Sequence, residues 1–159
     1  IADYQLKPEK TTVIYNGLKD EGRMIAEEER KKMKQSLSFD AEDSIILFVG
    51  DWTASKEWTF LIKAFRRVLD VYPHARLILA GDGSFNTYLK NVAASVAKLH
   101  SPEGDKEELY QYCRIADVGV IPSFHEQCSY VGIEMMMHGL PLIGTDSIGL
   151  GEMIVDELK

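Results

Sequence analysis

Ser44-Ile45-Ile46-Leu47-Phe48-Val49-Gly50 is an unbroken apolar run closed by a glycine. Without polar alternation, such a run reads as a strand buried on both faces, as in a parallel sheet covered on each side. The signature recurs downstream. Residues 76–80 make a second buried strand, which ends at Gly81-Asp82-Gly83. Residues 118–121 make a third, followed by Pro122-Ser123, and residues 141–144 a fourth, followed by Thr145. Helical spacing lies between them. Across residues 57–72 the apolar positions are Leu61, Ile62, Phe65, Val68, Leu69 and Tyr72, one stripe of a helix. Residues 85–99, 106–115 and 130–138 also read as helices, and residues 148–154 as a last turn. Upstream, residues 25–36 predict a polar helix. Its early Glu27, Glu28 and Glu29 and later Lys31, Lys32 and Lys34 suit the helix dipole and pair at i,i+4. Residues 11–15 read as a short strand closed by the turn pair Asn16-Gly17.

Alternating strands and helices predict an α/β domain, a Rossmann-like parallel sheet with helices on both faces. Such sheets bind ligands outside the carboxyl ends of their strands. Gly50, Gly81, Pro122 and Thr145 all lie just past strand ends, so four loops are expected to converge on one rim.

The chain's 159 residues suffice for one domain with its own core. Its 18 lysines and arginines stand against 25 aspartates and glutamates, a net charge of −7. That balance argues against a general nucleic-acid surface and against docking on anionic lipid. No apolar stretch reaches the ~18 residues of a transmembrane helix. Cys113 and Cys128 make neither a disulfide framework nor a metal spacing, and read as free thiols of a reducing cytoplasm. The sequence begins at Ile1 rather than Met and stops at Lys159. The expectation is a single domain, residues 1–159, of a longer two-domain protein.

The rim carries the chemistry. Glu126 and Glu134 sit seven residues apart within Pro122-Ser123-Phe124-His125-Glu126-Gln127-Cys128-Ser129-Tyr130-Val131-Gly132-Ile133-Glu134. One carboxylate falls in the loop after a strand, the other about a turn into the next helix. Backbone N–H groups at that helix start, around Cys128, Ser129 and Tyr130, are expected to face an anion. Hydroxyl acceptors flanking an anion cradle suit a ligand with both hydroxyls and phosphate, such as a nucleotide-sugar. Gly83, in Gly81-Asp82-Gly83, lets backbone approach a phosphate closely, and Ser84 is placed to cap the next helix. Lys56, six residues after Gly50, is a cation positioned to neutralise a diphosphate. Gly149 reads as a turn residue and Glu152 as a surface group. His138, beside Met135 to Met137, reads as packed or capping rather than catalytic, and His125 as a loop residue beside the ligand. No metal-ligand spacing and no Ser/His/Asp set is present.

Taken in order, these pieces resemble the carboxyl-terminal, donor-binding domain of GT-B-fold retaining glycosyltransferases, especially family 4. Val13-Ile14-Tyr15-Asn16-Gly17 looks like that family's opening strand. The run from Ile46 through Gly50 to Lys56 looks like its first phosphate loop, and Pro73-His74-Ala75-Arg76-Leu77 through Gly83 like its second. Glu107-Glu108-Leu109-Tyr110, Ala116-Asp117-Val118 and Pro122-Ser123 lead into the paired glutamates. Gly139-Leu140-Pro141 and Thr145-Asp146 through Gly149 and Glu152 close the pattern. The resemblance implies retaining transfer of a hexosyl unit from a nucleotide-diphospho-sugar to a hydroxyl. Glu134 would hold the ribose hydroxyls and Glu126 a hydroxyl of the donor sugar. Amides at Cys128, Ser129 and Tyr130 would face the diphosphate and sugar. Lys56 would stabilise the leaving diphosphate, with Gly50 and Gly83 giving it room. No metal and no cofactor would be needed. The acceptor, a carbohydrate or a lipid-linked glycan, would be held by a preceding domain. The location implied is the cytoplasm, with the full-length protein peripheral to the inner face of the membrane.

The chain departs from the family pattern at several points. Asp51 stands where the family has Arg, Glu57 where it has Gly, and Gln127-Cys128-Ser129 where it has Gly-Phe-Gly. The family also has a strand between the helix read at residues 85–99 and the one at 106–115. Only His100 to Asp105 remains for it, so the strand is expected to be missing, or residues to have been lost there. These departures motivate an alternative, a degenerate module of the same fold that binds without catalysing. A nucleotide-sugar epimerase fits the paired-glutamate loop less well.

Overall fold

A computed structural model describes residues 7–51, 58–81, 91, 97–100 and 106–154, with side chains placed for all of these except 97–100. After a 3-10 turn at Pro8–Lys10 come α1 (Glu27–Ser36), β1 (Ser44–Val49), α2 (Trp58–Leu69), β2 (Ala75–Ala80) and β3 (Ala97–His100). Then follow α3 (Lys106–Ile115), β4 (Val118–Ile121), α4 (Tyr130–Met137), β5 (Leu142–Gly144) and α5 (Ile148–Met153).

The five strands form one parallel sheet in the order β3-β2-β1-β4-β5. Alternate residues of its central strands face opposite cores. Ile45 and Leu47 of β1 and Ile78 and Ala80 of β2 pack with Tyr112, Cys113, Ile115 and Met135 from α3 and α4. Phe48 of β1 and Leu77 and Leu79 of β2 pack with Trp58, Leu61, Ile62 and Phe65 of α2. Each fully buried Leu, Ile or Phe contributes about 1.5–3 kcal/mol. The absence of polar alternation in residues 44–49 therefore has its cause in the two cores.

Asp117 ties the amino-terminal edge of the sheet together. Its Oδ2 accepts the Ile45 N–H at 2.7 Å, and its Oδ1 meets Arg30 Nη2 at 2.6 Å. The same Arg30 nitrogen donates to the carbonyls of Ile115 (2.8 Å) and Ala116 (3.0 Å), where α3 ends. A cation at a helix carboxyl terminus is favourable, so α1 is locked to α3 by chemistry as well as packing.

The register sets the opposite edge. Val49 pairs with Ala80, Ala80 with His100, and Ile121 with Gly144. Ile46 pairs with Val118, a register that three residues further on brings Val49 level with Ile121. All five strands thus end on one row, and their loops leave from one rim. The strand order reverses between β1 and β4, the place where open sheets of this kind bind ligands.

Two expectations are corrected. The strand thought to be missing before α3 exists. It is β3, made of Ala97-Lys98-Leu99-His100 and paired with Leu77 to Ala80 of β2. Its alanine-rich context carries helical propensity, and pairing along an open sheet edge overrides it. Residues 11–15 form no strand; they run without regular structure, with Val13, Ile14 and Tyr15 exposed. Strand propensity alone does not make a strand: the outer edge of β5 has no partner among the described strands, and residues 11–15 do not join it.

Candidate functional site

Gly50 and the loop of residues 122–129 leave neighbouring strands, β1 and β4, at the same level of the rim. The Gly50 N–H is used by the sheet, donating to Ala80 O at 3.0 Å. Asp51 follows it, exposed. Lys56, Glu57, Gly83 and Ser84 lie outside the described residues.

The 122–129 loop carries Glu126, half-buried, and delivers the chain to α4. Ser129 is the N-cap of α4, and its hydroxyl accepts the Gly132 N–H at 3.1 Å. The Ser129 N–H in turn donates to Met153 Sδ at 3.4 Å. Ser129 thus spends both groups inside the protein. The N–H groups of Tyr130 and Val131, in the first turn of α4, have no partner among the described residues. They stand at the positive end of the helix dipole, where an anion is favoured. Cys128 is half-buried just before the cap, and the Tyr130 side chain is exposed.

Glu134 lies one turn further along α4, nine-tenths buried. Its Oε1 stands 3.6 Å from Lys106 Nζ at the start of α3. Tyr110 and Cys113 of α3 lie near its charge. Burial first, and the Glu134 carboxylate second, raise the Tyr110 phenol above its ordinary range. The same causes push the Cys113 thiol up to about 12. His138 caps α4, pairing its Nδ1 with Glu134 O at 2.9 Å and packing its ring 4.6 Å from that of Tyr110. It packs and caps, and its contacts lie on the α3 side of α4.

The sheet allows α4 to approach because β4 has Gly119. A Cβ there would lie 2.5 Å from Met135 Sδ and 2.7 Å from Leu142 Cδ2. With Met135 seated on that glycine, α4 lies flat on β4 and Glu134 is turned toward α3. Glu126, the Tyr130 and Val131 amides and Glu134 thus lie along one loop and the helix that it feeds, past the carboxyl end of β4, with Glu134 beside Lys106 of α3. Nothing in the sequence marked Lys106 as a cation beside Glu134, since an exposed lysine at a helix start has no distinctive pattern. Met153 was equally hidden; a methionine in a last turn reads as core. Glu152 is exposed and His125 is exposed. Among the described residues no helix is long and apolar enough to cross a membrane.

Comparison with known proteins agrees with this architecture. The chain is 31% identical over 160 residues to an uncharacterized glycosyltransferase of Methanocaldococcus jannaschii, covering 95% of this chain and 40% of that protein. A second glycosyltransferase of that organism is 27% identical, covering 94% of this chain and 37% of its own length. The chain thus spans about two fifths of the length of these curated relatives. In structure, it matches the C-terminal domain of a glycosyl transferase group 1 family protein, LpcC, from Francisella tularensis. The TM-score is 0.73 at 21% identity, over 88% of this chain and 76% of that one. It also matches Anabaena HepE, whose structure is a complex with UDP and glucose. There the TM-score is 0.78 at 20% identity, over 98% of this chain and 43% of that one. These neighbours establish the fold as that of the GT-B glycosyltransferase domains. The family model described as "Glycosyl transferases group 1" matches residues 43–159, from the start of the sheet through both glutamates and α5, and the chain belongs to that family.

Proposed function

We propose that this chain is the donor-binding domain of a retaining glycosyltransferase, which takes a hexosyl unit from a nucleotide-diphospho-sugar and passes it to a hydroxyl. One observation carries the reading. Two glutamates and two helix amides without a partner among the described residues lie on the loop and helix that follow β4, next to the point where the strand order reverses. Carboxylates accept hydrogen bonds from hydroxyls, and helix-start amides donate hydrogen bonds to phosphate oxygens.

In this reading Glu134 holds the ribose hydroxyls and Glu126 a hydroxyl of the donor sugar. The Tyr130 and Val131 amides face the diphosphate, while Ser129, expected to share that contact, serves instead as the cap that orients them. Lys56 and the helix dipole stabilise charge on the departing diphosphate, so the reaction needs no metal. Gly50 and Gly83 leave room for the phosphates. The acceptor, a carbohydrate or lipid-linked glycan, is held by a further domain, and the reaction proceeds in the cytoplasm, at the inner membrane face when the acceptor is lipid-linked. The bound UDP and glucose of the HepE structure support this choice of ligand.

The alternative, a binding module without turnover, is favoured by Asp51 at the rim. Its second motive has gone, because β3 is present. The test is to incubate the full-length protein with UDP-glucose and follow the anomeric proton of the product by NMR. A product that keeps the donor's anomeric configuration is the expected outcome. Inversion would refute the retaining mechanism. Binding of UDP-glucose without transfer or hydrolysis would favour the module.

A further inference from the structure

Glu126 sits on a loop with no regular structure, yet a sugar contact requires its carboxylate to stay in one place. The loop is held from the far end of the chain. Gly149 donates its N–H to Glu126 O at 3.0 Å. The two backbones meet so closely that a Cβ on Gly149 would fall 2.1 Å from Gln127 O and 2.4 Å from Glu126 O. One turn along α5, Met153 Sδ accepts the Ser129 N–H, and the Met153 methyl lies 3.3 Å from where a Cβ on Gly132 would stand. On the other side, the Thr145 hydroxyl donates to Ser123 O. The loop is therefore pinned at Ser123, Glu126 and Ser129, and every pin comes from the segment of residues 145–153. The sheet does not need these contacts, since β5 is already paired with β4 through Leu142 to Gly144.

We propose that Gly149 and Met153 are positioning residues of the donor site: α5 is a brace that fixes where Glu126 meets the donor sugar. This rests on the donor-site reading of Glu126. Gly149 acts by having no side chain, and its amide can reach Glu126 O for that reason. Met153 acts through its sulfur, a soft acceptor that no hydrocarbon side chain replaces. Both act through the loop backbone and touch no ligand.

The test compares UDP with UDP-glucose as calorimetric probes of the protein and its variants. Met153→Leu conserves volume and removes the acceptor. It is expected to weaken UDP-glucose more than UDP, because it loosens the Glu126 loop as well as the cap beside the amides. Gly149→Ala should weaken UDP-glucose about tenfold or more, because a backbone shift of about an ångström suffices to lose an oriented contact. Neither loss should add to that of Glu126→Gln, because each acts through that carboxylate. Hydrogen exchange of the ligand-free protein should quicken across residues 124–130 in both variants. If Gly149→Ala fails to fold, Met153→Leu decides alone. Equal weakening of both ligands, full additivity with Glu126→Gln, or unchanged exchange would overturn the proposal. Should Glu126→Gln itself fail to discriminate UDP-glucose from UDP, the donor-site reading falls, and the brace proposal with it.

Discussion

Asp51 is the residue whose charge runs against the site it borders. It is exposed at the carboxyl end of β1, where water and salt screen it. An active donor site therefore tolerates it, and Asp51→Arg should tighten UDP binding modestly, by a gain that shrinks as salt is raised. A protein that binds no UDP until Asp51 is replaced would instead be the degenerate module. Cys113 offers a second check at this scale. Burial and the Glu134 carboxylate hold its thiol protonated, with the value pushed up to about 12. Only the thiolate reacts, so at pH 8 the native protein should label at Cys128 and not at Cys113. Mass spectrometry after alkylation reads this directly. Replacing Glu134 with Gln removes one source of the shift but not the burial, so Cys113 should stay unreactive in that variant too.

Among the elements, α4 is the one that makes the site, and Gly119 sets its distance from the sheet. Gly119→Val would drive a side chain into Met135 Sδ and Leu142, and overpacking of this kind costs about 1–3 kcal/mol. Denaturant unfolding should show that loss. UDP affinity should fall with it, because α4 carries Glu134 and the two amides. Strands β1, β2 and β4 and helices α2 and α3 were legible in the sequence because their apolar spacing follows from burial on one or two faces. Strand β3 was not. Its four residues continue the periodicity of the segment before them, and only the free edge of β2 makes them a strand. The segment at residues 11–15 erred the other way, with strand-forming residues that pair with no strand of the sheet. At the candidate site, the sequence marked Glu126 and Glu134 as carboxylates after a strand and in the next helix, and the structure buries Glu134 beside Lys106; their roles toward a donor belong to the proposal. The supports of that site were not marked. Lys106, Thr145, Gly149 and Met153 act through contacts between segments far apart in sequence, and no local pattern announces those.

On the scale of the whole molecule, two cores hold one sheet, Arg30 and Asp117 lock its lower edge, and the upper edge is left to loops. That division separates stability from function. It also limits what this chain can do. Transfer requires donor and acceptor to be held together, and in the proposed function this chain supplies the donor side. The 159-residue chain by itself should bind UDP and yet show no sugar transfer; steady transferase turnover by it would contradict the two-domain proposal. The central claim is the division of labour between the two glutamates. Calorimetry of UDP and UDP-glucose against Glu134→Gln and Glu126→Gln tests it most directly. A charge-assisted hydrogen bond is worth about 1.5–3 kcal/mol, and 1.4 kcal/mol is about tenfold in affinity. Glu134→Gln should therefore weaken both ligands about tenfold or more, while Glu126→Gln weakens UDP-glucose and spares UDP. Equal effects of the two substitutions on UDP affinity would contradict the account.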